Sequence, residues 1–174
     1  MAVIGWGKPR IFIKDLDAET PKWEELPTPV EDSTTLETTK GDKQEAKIEG
    51  GENEDVKYGR NTYALNLSIR AAKGRQRPMS DEDGVIAHNY AVVLQPEDPK
   101  VQGFAIEKST ASVEDNFTSA EGGVWAYAFD ALKPVKGKQV KWGVVTVTES
   151  DGSISKIELD PEGAEESFEV AANA

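Results

Sequence analysis

Between Thr62 and Arg70 the chain alternates strictly: Tyr63, Leu65, Leu67 and Ile69 fall on one parity, and Thr62, Ala64, Asn66, Ser68 and Arg70 on the other. Successive side chains of an extended strand point to opposite faces, so this period of two predicts a strand with one apolar and one small, polar face. Weaker versions recur at Arg10–Lys14, Thr34–Thr39, Gln44–Glu49, Tyr90–Leu94, Phe104–Val113, Val124–Phe129, Val140–Thr148 and Ser153–Leu159. Nine such segments predict a mainly-β domain, a β-sandwich or barrel-like fold with one or two short helices and long loops. Tyr63, Leu65, Leu67, Ile69, Trp125, Tyr127, Phe129 and Trp142 are the expected core.

Turn chemistry points the same way. Asp151-Gly152 between two alternating segments predicts a tight hairpin, and Lys40-Gly41-Asp42 separates two more segments in the manner of a second one. Short helices are expected at Ser80–Asp83, where Ser80 can cap, and at Val113–Ser119. Asp15–Asp32, with Pro21, Pro27 and Pro29 among acids, resists both helix and central strand. Lys47–Gly59, with Gly50-Gly51 beside Glu52, Glu54 and Asp55, reads as a mobile loop. The 174 residues therefore divide into an N-terminal arm and first strand (1–32), a long hairpin loop (41–59) and an acidic C-terminal tail (160–174) around a single domain.

Charge narrows the function. The formal net charge is -12, which argues against binding nucleic acid by exchanging counterions for Lys and Arg. No apolar run of about 18 residues is present to span a bilayer, and the N-terminus lacks the pattern of a signal peptide, so no membrane insertion is expected. The chain has no cysteine, which removes disulfides and thiolate chemistry together. Charge is also segregated. Lys57, Arg60, Arg70, Lys73, Arg75 and Arg77 stand in a stretch without an acid, whereas 149–169 holds eight acids against Lys156 alone. Complementary regions on one chain suit contacts between its copies, although ordinary solvated faces give the same pattern.

Catalytic signatures are missing. His88 is the only histidine and has no evident sequence partner, and no nucleophile elbow, phosphate loop or zinc spacing occurs. Asp81-Glu82-Asp83-Gly84 echoes a calcium loop without its remaining ligands and reads as a turn. With 32 acids, adjacent carboxylates arise without design, so a carboxylate-dependent hydrolase has no specific support. No enzyme, cofactor or metal site is expected.

Two blocks resemble the tail tube proteins of tailed bacteriophages. Thr34–Arg70, TTLETTKGDKQEAKIEGGENEDVKYGRNTYALNLSIR, gives strand, Gly turn, strand, acidic loop and alternating strand. Asp115–Val147, DNFTSAEGGVWAYAFDALKPVKGKQVKWGVVTV, is similar to the family's Ser-Ala-Glu-Gly-Gly entry to an aromatic strand, its Phe-Asp-Ala-Leu-Lys-Pro exit and a following Val-Lys-Trp-Gly strand. The resemblance implies a virion protein, assembled in the bacterial host cytoplasm, whose hexameric rings stack into a hollow tube. Its implied partners are its own copies and tail proteins such as the tape measure and terminator, with DNA passing through unbound. Glu37, Glu45, Glu49, Thr62, Asn66 and Ser68 are then expected to line the lumen. Lys57, Arg60, Arg70, Arg75, Arg77, Glu52, Glu54 and Asp55 are expected between subunits or rings. The inner tube of a contractile secretion or injection machine, and an Ig-like head-decoration or adhesion module, are the alternatives.

Overall fold

In a computed structural model, which describes residues 2, 4–161 and 166–172, every regular element is a strand. The mainly-β class is therefore observed. In chain order the strands are β1 (Arg10–Asp15), β2 (Trp23–Glu25), β3 (Thr35–Thr39), β4 (Lys43–Lys47), β5 (Asn53–Tyr58), β6 (Thr62–Arg70), β7 (Val85–Gln95), β8 (Gly103–Thr118), β9 (Gly122–Ala131), β10 (Lys141–Ser150), β11 (Ser153–Pro161) and β12 (Phe168–Glu169). Ten of them form one sheet in the order β10-β11-β2-β1-β7-β8-β9-β6-β3 with β12 beside β11, while β4 and β5 pair only with each other.

β8 organises this sheet because its two halves serve different neighbours. Its first residues pair with β7 and also with β10, so that β10, β11, β2, β1, β7 and β8 close a ring of pairings. Its second half runs on beside β9, followed by β6 and β3. Gly103 and Gly143 face each other where β8 meets β10. A Cβ at Gly103 would run into the Leu94 carbonyl oxygen of β7, and one at Gly143 into the Asp160 carbonyl of β11, so both strands need glycine where they also meet each other.

Two apolar clusters result. One, inside the ring, holds Phe12, Trp23, Ala91, Val93, Ala105, Val145, Ile157, Leu159 and Val170. The other lies between the ring and the β6–β9 layer and includes Ile11, Ile13, Leu65, Leu67, Ile69, Val92, Phe104, Ile106, Tyr127 and Phe129. β1, β7 and β8 contribute to both. Their buried runs Ile11-Phe12-Ile13, Ala91-Val92-Val93 and Phe104-Ala105-Ile106 are accordingly continuous rather than alternating.

Several expectations are corrected. The helices expected at Ser80–Asp83 and Val113–Ser119 are absent: Glu82 and Val85 bond reciprocally around Asp83-Gly84, and 113–118 continues β8 against β9. The hairpin at Lys40-Gly41-Asp42 does not form, because β3 pairs with β6 and β4 with β5. Trp142 is 53% exposed and tilts onto Phe104, since Val145 and Val147 take the inward parity of β10. Leu65, Leu67, Ile69, Tyr127 and Phe129 are buried as expected, and Tyr63 and Trp125 pack partly buried against them.

Three strands come from segments read as arm, loop or tail. Trp23 of β2 is buried because it pairs with Lys14 and Ile154. The loop at 41–59 contains β5. In the acidic tail, Val170 is fully buried, its N–H bonding the Ile157 carbonyl, while 162–165 and 173–174 lie outside the described residues. The Asp151-Gly152 hairpin forms, with both residues at positive φ.

Candidate functional site

The β3-β6-β9 layer and the second half of β8 bury one face and leave the other uncovered. Register fixes what the uncovered face carries, because directly opposed residues share a side of the sheet. Glu37, Ala64, Asp130 and Thr110 form one row, and Thr35, Asn66, Ala128 and Ser112 the next. Ser68, Ala126 and Glu114 follow, then Arg70, Val124 and Asn116. The face is thus built of small residues with three carboxylates, those of Glu37, Asp130 and Glu114, and a cation at one end. Of the residues expected to line a lumen, Glu37, Thr62, Asn66 and Ser68 share this face.

Glu45 and Glu49 do not. β4 is not a neighbour of β3, and Glu45 instead pairs with Lys43 and Lys47 on a separate hairpin. The hydrogen bond from Lys43 holds its carboxyl below the usual range. Asp130 and Glu114 were missed. The signal for Asp130 lay in Val124–Asp130, where Trp125, Tyr127 and Phe129 alternate with Val124, Ala126, Ala128 and Asp130.

β4 and β5 form an arm whose residues are exposed, Val56 alone being half-buried. It joins the body through a narrow neck: Gly59 N–H donates to the Asp42 carbonyl at 2.7 Å, and Gly41 N–H to the Asn61 side-chain oxygen at 3.1 Å. A Cβ on Gly41 would collide with the Gly59 carbonyl, so the crossing tolerates no side chain. At the tip, 48–55 carries Glu49, Glu52, Glu54 and Asp55 and no base, around the half-exposed Ile48.

The opposite end of β6 is basic. Arg70 donates to the Glu121 carbonyl and Arg75 to the Arg70 carbonyl. Arg70, Lys73 and Arg75 have no carboxylate partner among the described residues. Arg77 does: it spans Asp115 at 2.8 Å and Asp81 at 2.9 Å and lies 5.1 Å from the Trp125 ring centre. Phe117, one residue beyond the last row, is 78% exposed. The residues expected between copies therefore separate into two poles, with Glu52, Glu54, Asp55 and Lys57 on the arm, Arg60 at its neck, and Arg70 and Arg75 at the far end.

His88 Nδ1 lies 2.7 Å from Asp15 Oδ2, a partner 73 positions away, and this hydrogen bond raises its pKa above 6.5. The pair is exposed and lies in no enclosed site. No group of three or more His, Cys, Asp or Glu side chains suited to a metal occurs among the described residues, and no helix there is long and apolar enough to cross a membrane. Compared with protein-family models and with curated proteins, the sequence matches none.

Proposed function

We propose that the chain is a structural subunit that assembles with itself into a tube, the tail tube of a tailed phage, and conducts DNA without binding it. The observation that carries this reading is a pair of matched free edges on the sheet whose polar face is uncovered. β3 pairs on one side only. Pairing of β7 with β8 ends at Val85–Ser112, and Gly84 takes the Val113 N–H, so Glu114–Thr118 has β9 alone. Each free edge is five residues long.

The strands β8, β9, β6 and β3 alternate in direction, so β3 of one copy meets β8 of the next antiparallel when copies repeat by rotation. The edges are also offset. Glu37, the centre of β3, is in register with Thr110, whereas Asn116, the centre of the free β8 edge, lies six residues further along. Six residues at about 3.3 Å, set against four strand spacings of about 4.8 Å, give a strand tilt of about 45°. That is close to the tilt of roughly 35–45° at which sheets close into barrels.

The hand agrees as well. Val113 points its N–H toward β7 and its side chain toward the core. For an L-residue on an ascending strand viewed with its side chain toward the observer, the N–H points right. β9, β6 and β3 therefore follow to the left of β8, and a row followed leftward climbs, as the right-handed strand twist of barrels requires. Edge pairing would remove both exposed edges and turn the small polar face toward the enclosed channel. Hexameric rings, the tape measure and terminator partners and the virion location belong to the same proposal. Electron microscopy of concentrated purified protein tests it: rings or tubes are expected, and particles that stay monomeric at every concentration defeat it.

A further inference from the structure

β11 has nine residues and β2, its neighbour on one side, has three, so the two meet only at Ile154–Trp23. Further along β11 the place of β2 is taken by the chain's own C-terminal segment. Phe168 pairs with Leu159, Glu169 with Glu158, and the Val170 N–H donates to the Ile157 carbonyl at 2.8 Å. Phe168 and Val170 alternate into the apolar cluster of the ring, and the Lys14 ammonium donates to the Ala171 carbonyl at 2.8 Å. The seat is thus a strand-shaped slot with an apolar lining, a row of backbone partners and the Lys14 amine at its end. Its occupant fits imperfectly at two positions. Glu169 stands directly opposite Glu158, and Lys156 binds Glu158 at 2.7 Å, which leaves one carboxylate in excess. Like charges directly opposed in a sheet destabilise it. Ala171 holds a φ of 52°, a left-handed conformation that costs any residue with a Cβ and suits glycine.

We propose that this slot is an interaction site for an extended segment of another protein, one reading apolar, Lys, apolar, Gly, which displaces residues 168–171 and pairs with β11 in their place. Apolar residues two apart fill the positions of Phe168 and Val170, the Lys meets Glu158, and the glycine takes the turn over Lys14. In strand addition of this kind backbone pairing supplies affinity and the pockets for alternate side chains supply selectivity. Two ladder pairs and one fully buried side chain, Val170, hold the present occupant, few enough for it to open locally while the ring stays folded. The slot lies on the ring, apart from the free edges of β3 and β8, and does not rest on the tube reading.

Three labelled peptides titrated into the full chain test this by fluorescence anisotropy: Ser-Phe-Lys-Val-Gly-Ala, the native Ser-Phe-Glu-Val-Ala-Ala, and a control Ser-Asp-Lys-Asp-Gly-Ala. The first should bind about tenfold more tightly than the native sequence, because it relieves both misfits, and the control should not bind. Apparent affinity is reduced by the fraction of chains whose slot is still filled by their own segment. Placing Glu169→Lys and Ala171→Gly in the chain itself should therefore hold that segment more firmly and weaken the first peptide about tenfold. Saturating peptide should speed hydrogen exchange at the Val170 amide of the unsubstituted chain and leave that of Leu67, in β6, unchanged. No binding at about 1 mM peptide, affinity indifferent to the two substitutions, or unaltered exchange at Val170 overturns the proposal. Equal binding of the first and native peptides also overturns it, and assigns the slot to the C-terminal segment of a second copy.

Discussion

Individual side chains divide into those that hold the sheet and those that decorate it. Leu67 is 1% exposed at the centre of the layer that carries the polar face. Leu67→Ala should cost about 2–5 kcal/mol, because the transfer term and the residual cavity add. A urea midpoint unchanged from wild type would contradict the packing. Asp130, on the uncovered face of the same layer, should tolerate Asn within about 0.5 kcal/mol. His88 offers a cleaner reading, being the only imidazole in the chain. Its pKa is raised chiefly by the hydrogen bond it donates to Asp15, then by the charge of Asp15, with Asp17 adding a little. Whatever stability the contact gives is present in full below the unfolded value near 6.5 and fades as pH rises through the higher folded value. An NMR titration should place the midpoint above 6.5, and Asp15→Asn should bring it back; a midpoint indifferent to Asp15 would remove the contact.

Elements differ in how far the sequence betrays them, and the difference follows from what each buries. β6 was legible at once because it has one face in the core and one in water, the condition under which apolar residues must alternate. β5 was not. Its residues Asn53–Tyr58 bury almost nothing, and β4 supplies the backbone partners through the ladder from Lys43–Tyr58 to Lys47–Asn53. β12 hid for the opposite reason, since Phe168 and Val170 are lone apolar residues in an acidic stretch whose burial depends on the distant β11 and on Lys14, which donates to the Ala171 carbonyl at 2.8 Å. The polar face was half legible: alternation gave Glu37, Asn66 and Ser68, but which strands share a sheet is a long-range fact, and Glu45 fell on the wrong one. Two predictions belong here. Replacing 43–58 by a short Gly-Ser linker should leave the melting temperature of the body within a few degrees, because the arm packs on nothing but itself; a collapse of the fold would show otherwise. Ending the chain at Ser167 should destabilise the fold by on the order of 1.5–3 kcal/mol, the contribution of a fully buried side chain such as Val170, with half-buried Phe168 adding to it, and equal denaturant midpoints for the two chains would refute it.

For the molecule as a whole, the net charge of -12 matters through where the acids stand. Glu37, Glu114 and Asp130 sit on the face assigned to the channel, and at physiological salt screening acts over about 8 Å, short enough that only DNA near the wall is repelled. Changing all three to Lys should leave tubes that assemble but retain DNA, most strongly at low salt. Ejection kinetics identical to wild type would remove these residues from the channel. The separation of acidic tip and basic pole to opposite ends of β6 has one more consequence. If copies stack as proposed, every completed layer would present the same two surfaces as the layer before it, one at each end, so adding a subunit would never alter the reason to add the next. A tube built in that way would have direction and repeat but no count: the purified protein alone should then grow filaments of widely scattered length, and a uniform length would have to be imposed by another molecule that acts as a ruler.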